Sequence, residues 1–171
     1  MTDKFNFKNI ILTVLLFSGL ILQIFAIKIY ADTIIIWKLP VLLWLLVGIV
    51  SRQFTSSLLD TYYKTTNYLL QLFFNACAFG GILSFCFLAS NFYLNTDTTT
   101  ENARVEIIKI GHLSKWRGSC GKPYAVFQFD NSEKQVDFSC ESEIERYKFI
   151  NLTIRKGFWG YYIITKKQLS N

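Results

Sequence analysis

The chain has 171 residues, with 18 Lys/Arg against 12 Asp/Glu, a single histidine and a net charge of +6. It is 51% hydrophobic and 17% aromatic, and its mean hydropathy is +0.29 despite those charges. This combination excludes an even mixture of polar and apolar residues and places the two kinds in series. Residues 1–100 hold six Lys/Arg and four Asp/Glu, and residues 101–171 hold twelve and eight. The chain therefore divides near residue 100 into a membrane part and a polar part.

After a short tail (1–9) carrying Lys4 and Lys8, three apolar runs fill residues 10–94. A hydrocarbon core of roughly 30 Å needs about 20 apolar residues in helix, because each backbone N–H and C=O must be paired within the segment. The first run, 10–27, is uncharged. It also resembles the apolar core of a signal peptide, but the best small-residue cleavage pattern, Ile29-Tyr30-Ala31, is poor and a second apolar run follows at once. It is read as a retained span.

The second run, 33–50, is interrupted by Lys38 and Pro40. Lys38 beside Trp37 reads as an interfacial anchor, with the ammonium snorkelling and the indole at headgroup level. An ion-path role for Lys38 requires an acidic partner, and none of the three predicted spans contains one. Pro40 falls in the first turns, where few backbone bonds are lost.

The third run, Tyr68–Leu94 with its helix predicted at about 68–90, puts Gln71 and Asn75 on one face. Ala76 and Gly80, with Cys77 and Gly81, give the four-residue spacing of small side chains that lets another helix approach closely. The expected use is packing within a three-helix bundle, with Gln71 and Asn75 bonded to Ser18 or Gln23 of the first span. A homo-oligomer face is the alternative.

A linker (95–102) leads to a domain at 103–166 whose apolar residues alternate with period two, the mark of strands. Strands are predicted at 103–111, 123–130, 134–140, 148–156 and 158–165, with a short helical turn in "ESEIERY" and a tail at 167–171. A two-residue loop at Asn131-Ser132 pairs Phe129 with Lys134, Phe127 with Val136 and Ala125 with Phe138, and brings Cys140 opposite Pro123. The predicted fold is three transmembrane helices followed by a small all-β domain of about five antiparallel strands, barrel-like or strongly twisted.

Basic residues set the expected orientation. Lys4, Lys8, Arg52 and Lys64 lie on the side of the N-terminus, and Lys28 and Lys38 lie close to the membrane on the other. Four against two places the N-terminus in the cytoplasm and the β domain outside. In an exported module of this size, Cys120 and Cys140 read as a disulfide. Cys77 and Cys86 read as small apolar residues of the third span.

The stretch "HLSKWRGSCGK" (112–122) concentrates chemistry-bearing residues. Lys115, Trp116, Arg117 and Lys122 form a candidate ligand or partner surface for an anion, a lipid headgroup or an acidic partner. Its plainer reading is a solvated hairpin loop stapled by Cys120–Cys140. Cys120 and His112 as nucleophile and base lack an orienting acid in the same loop. A single histidine cannot build the usual zinc sites, and Cys-x-x-Cys, G-x-S-x-G, P-loop and G-x-G-x-x-G patterns are absent. No cofactor, metal or catalytic residue is expected.

The function expected is that of a non-enzymatic, membrane-anchored binding module. It would present a β domain at the outer face of a bacterial cytoplasmic membrane to a protein or envelope component, with nucleic acid an improbable partner. Two alternatives share the same features: a plasmid- or prophage-encoded immunity or superinfection-exclusion protein, and an accessory subunit of a larger membrane complex.

Overall fold

Apolar length decides the first half of the fold. The computed structural model describes residues 7–64, 67–95, 99–114, 121–130 and 132–171. Three helical stretches among them are long and apolar enough to cross a bilayer: Asn9–Ala31, Lys38–Thr61 and Tyr68–Tyr93. They correspond to α1 (Phe7–Ala31), α2 (Lys38–Tyr63), and a third span made of α3 (Tyr68–Asn75), a π-helical turn (Ala76–Gly80) and α4 (Gly81–Tyr93). Large apolar side chains such as Val14, Leu46 and Leu69 are exposed along them, as a lipid-facing surface requires.

The second helix differs from the hydropathy run that announced it. It starts at Lys38, because Pro40 fits a first helical turn whose N–H groups have no intrahelical partner. It then continues through the polar stretch after Val50 to Tyr63 and so includes Asp60. The expectation that no span carries an acid is corrected by that extension.

By its internal contacts the chain forms two units, Met1–Lys28 with Trp37–Ala89 and Ile29–Ile36 with Ser90–Asn171. In the helical unit, glycines bring backbones together. A Cβ on Gly19 of α1 would lie 2.3 Å from the Cys77 carbonyl oxygen, and one on Gly81 would lie 2.4 Å from the Gly19 carbonyl oxygen. On the α2 side, a Cβ on Gly48 would lie 2.9 Å from the Ala76 Cβ, and one on Gly80 would lie 2.7 Å from the Trp44 carbonyl oxygen. The small residues around the π-helical turn thus serve close approach to both other helices.

The second unit is a six-stranded antiparallel sheet: β1 (Thr33–Ile34), β2 (Thr100–His112), β3 (Pro123–Phe129), β4 (Ser132–Asp137), β5 (Phe149–Lys156) and β6 (Tyr162–Ser170). Its order is β1-β6-β5-β2-β3-β4. β2 is long enough to serve two neighbours, pairing through Thr100–Glu106 with β5 and through Ile107–His112 with β3. A register irregularity between Ile107 and Lys109 marks the change, and such a bulge increases the local twist that curls a sheet toward closure. Inward-facing Val105, Phe127, Val136, Ile150, Leu152 and Ile154 form the core, and Ile144 joins them from a 3₁₀ turn (Ile144–Arg146).

Five strands are predicted from the sequence, and the sixth comes from the connection between α1 and α2. Thr33 and Ile34 pair with Ile163 and Tyr162, and the Ile34 side chain enters the β core. The β3–β4 register also differs from expectation. Phe129 faces Ser132, Phe127 faces Lys134 and Ala125 faces Val136. The chain reverses at Asp130, whose φ of +46° is the left-handed geometry of tight hairpin turns. The slip is by two residues, so every side chain keeps its face. Phe138 donates its N–H to the Pro123 carbonyl at 2.8 Å, which leaves Cys140 two residues beyond Pro123's partner rather than opposite Pro123.

Lys134 spans the gap between the two ends of the sheet. It sits on β4, one edge, and its Nζ donates to the Tyr30 carbonyl at 2.6 Å, just before β1, the other edge. The ammonium also lies 4.1 Å from the Tyr30 ring centroid. The sheet is thereby nearly closed, joined across its open seam by a side chain instead of a ladder.

Candidate functional site

The alternation that fills the core with Ile150, Leu152 and Ile154 turns Asn151 and Thr153 of β5 outward. Register then fixes their neighbours. Asn102 of β2, Thr153 and Lys166 of β6 lie side by side in one row across the sheet, and Arg104, Asn151 and Gln168 lie in the next. These six residues, with Ala103, line a shallow hollow of about 390 Å³ on the outer face of β2, β5 and β6.

The two rows combine two cations, three amides and a hydroxyl, with no acid among them. Thr153 donates to Asn102 Oδ1 at 3.1 Å. The Arg104 guanidinium rests 4.2 Å from the Phe149 ring centroid and donates to the Asn171 carbonyl at 2.6 Å, which restricts its rotamers. Such a face offers several N–H donors at once to an anionic, hydrogen-bonding group, with arginine able to fork onto carboxylate or phosphate. It offers no general base, and among the described residues no group of three or more His, Cys, Asp and Glu could hold a metal.

The one buried lysine among the described residues has a different character. Lys134 is 4% exposed, and its pKa is lowered to about 8 by desolvation, against which the nearby Asp32 carboxylate pulls it back up. It donates to one of the last carbonyls of α1, at the negative end of the helix dipole. This is a structural fastening, placed inside the seam and away from the outward face.

The residues singled out from sequence fall into three groups. Lys115, Trp116, Arg117 and Cys120 lie outside the described residues, while Lys122 and Cys140 are exposed. Leu113 donates its N–H to the Lys122 carbonyl at 2.9 Å, at the base of the β2–β3 connection. An acid does reach His112, but from the 3₁₀ turn: Glu145 lies 3.4 Å away, with both side chains more than half exposed.

In the helical unit, Gln71 and Asn75 are both buried, and their partners are on α2 rather than at Ser18 or Gln23 of α1. Thr55 donates to Asn75 Oδ1 at 2.7 Å, and Gln71 donates to Asp60 Oδ1 at 2.6 Å. The correction follows from the longer α2, which carries Thr55 and Asp60 past the end of the predicted run. Ala76, Gly80 and Gly81 sit at the helix contacts already described, and Trp37 and Lys38 are exposed at the start of α2.

The polar face of β2, β5 and β6 is absent from the sequence-based expectations. Its signal is present in the outward positions 102, 104, 151, 153, 166 and 168, but only the register assembles them. No protein-family model, curated protein or solved structure matches this chain.

Proposed function

We propose that the chain is a non-enzymatic, membrane-anchored binding module whose β domain captures an acidic partner on the outward face of β2, β5 and β6. The observation that carries this reading is the pair of polar rows, Asn102–Thr153–Lys166 and Arg104–Asn151–Gln168, with two cations and no acid. The excess of twelve Lys/Arg over eight Asp/Glu in residues 101–171 favours the same sign of ligand. The basic residues near the spans favour presentation of this face outside the cytoplasm. A staple between Cys120 and Cys140 belongs to the same reading.

A photo-crosslinking residue at Thr153 tests it in intact membranes. A discrete adduct should form and should disappear when Arg104 and Lys166 are both changed to Glu. Adducts that form equally well from Gln135, on β4 away from this face, or that survive the double charge reversal, would reject the face as the binding surface.

A further inference from the structure

The turn between β5 and β6 carries the sequence "KGFWGYY" (156–162), and it does not behave as an ordinary solvated hairpin tip. Phe158 and Trp159 are each 54% exposed and meet edge to face, with ring centroids 5.0 Å apart at 86°. Exposed Lys156 flanks them. Two adjacent large aromatics held outward at a turn need a reason, since most turn positions favour small or polar residues.

Their backbone is tied to the last turn of α4. Buried Asn91 is the centre of the tie: its Oδ1 accepts the Trp159 N–H at 2.9 Å, its Nδ2 donates to the Tyr161 carbonyl at 3.3 Å, and its own carbonyl accepts the Phe158 N–H at 3.0 Å. A Cβ on Gly157 would fall 2.4 Å from the Asn91 amide, so glycine lets the turn close over that side chain. Trp159 Nε1 donates to Ser90 Oγ at 2.7 Å. Arg155 donates to the Phe92 carbonyl at 2.8 Å, and Asn95 donates to the Lys156 carbonyl.

Ser90, Asn91, Phe92 and Asn95 bracket the point at which the third candidate span ends, at Tyr93. A turn bonded to those residues lies within about one helical turn, roughly 5 Å, of the span's end. At that depth a bilayer offers its headgroup and glycerol region, where amphipathic aromatic rings accumulate and a neighbouring lysine meets lipid phosphate.

We infer that the β5–β6 turn is an interfacial membrane anchor: Phe158 and Trp159 enter the headgroup region of the same bilayer that holds the helices, with Lys156 at the lipid phosphates. The inference rests on the three helices spanning a membrane and not on the identity of any ligand of the β domain. It gives the β domain a membrane contact besides the polypeptide connections.

The full-length protein in vesicles of mixed phosphatidylcholine and phosphatidylglycerol provides the test, with a trace lipid carrying a photoactivatable diazirine high on its acyl chain. Cleavage after Lys156 and Lys166 releases residues 157–166 as one peptide. That peptide should carry lipid adducts on Phe158 or Trp159. Phe158→Asp leaves the Asn91 hydrogen bonds to the backbone in place and should abolish adducts on Trp159. Adducts on the spans with none on 157–166 would overturn the anchor alone, whereas no adducts on the spans would overturn the membrane reading beneath it. Adducts on Trp159 that persist in Phe158→Asp would also defeat the joint insertion of the two rings.

Discussion

A lysine inside a β seam is an expensive choice, and the surroundings of Lys134 show how the fold accommodates it. The ammonium loses most of its hydration, and the Tyr30 carbonyl, the Tyr30 ring and the Asp32 carboxylate return part of that cost. Because its pKa falls from 10.5 to about 8, the folded protein releases a proton in a range where the unfolded chain still holds it. The unfolded state then binds more protons, so this group adds to stability as pH rises from 8 to 10.5, by roughly 3 kcal/mol over the window. Lys134→Met removes the titration. The difference in melting temperature between the native protein and this variant should therefore shift in favour of the native protein across that window. A difference that stays constant with pH would show that Lys134 is not desolvated. Gly81 makes a residue-scale argument of the opposite kind, where the missing side chain matters. Any Cβ there strikes the Gly19 backbone, which cannot rotate aside, so Gly81→Leu should lower the thermal stability of the protein in detergent by several degrees. An unchanged melting curve would mean that α1 does not approach α4 so closely.

Among the elements, the two-residue strand β1 carries weight out of proportion to its length. It pairs with the start of the β6 edge, at Tyr162 and Ile163, where backbone groups would otherwise be unpaired, and it delivers Ile34, 4% exposed, to the β core from about 65 residues upstream of the domain. Ile34→Ala should destabilise the β domain by about 2–4 kcal/mol. Ile36→Ala, at a position 49% exposed, should have little effect. Protease resistance of the C-terminal unit in the intact protein distinguishes the two, and equal resistance would remove β1 from the core. A hydropathy window could not reveal β1, because "TIII" is as apolar as the helix that follows and only the proline two residues past Lys38 hints at the true helix start. The strands at 103–111, 123–130 and 148–156 were legible because alternation reports burial directly. The hairpin register was not, since a slip of two preserves every face, and the choice rests on Asp130 adopting positive φ. The polar face was half legible: each strand shows its outward residues, but which of them become neighbours depends on pairing between distant segments. The proposed Cys120–Cys140 staple belongs to this scale too. Closing 20 residues of loop contributes roughly 3 kcal/mol in the chain-entropy account. Unreduced protein should yield the linked peptides, whereas free alkylation of both thiols in fresh membranes would exclude the bond.

At the scale of the whole molecule, β1 turns a packing detail into a statement about sidedness. Ile29–Ile36, the connection from the first helix to the second, belongs to the same unit as Ser90–Asn171. A segment that supplies a strand to the β sheet must lie on the same side of the membrane as that sheet. If the three helices cross the membrane, the N-terminus falls on the opposite side, independently of any count of charges. What the charges bear on is which side is which: Lys4, Lys8, Arg52 and Lys64 on one face against Lys28 and Lys38 near the other favour the proposed cytoplasmic N-terminus. The two inferences separate in one set of measurements. Single cysteines at Ile36 and Asn171, in a background with Cys77, Cys86, Cys120 and Cys140 all changed to Ala, should both react with a membrane-impermeant maleimide applied from outside. One introduced at Lys64 should react only after permeabilisation. Ile36 and Asn171 reacting from opposite sides would break the link between β1 and the sheet. Both reacting only from inside would keep that link and reverse the orientation, moving the polar face of β2, β5 and β6 into the cytoplasm and removing the oxidising surroundings that the Cys120–Cys140 bond requires.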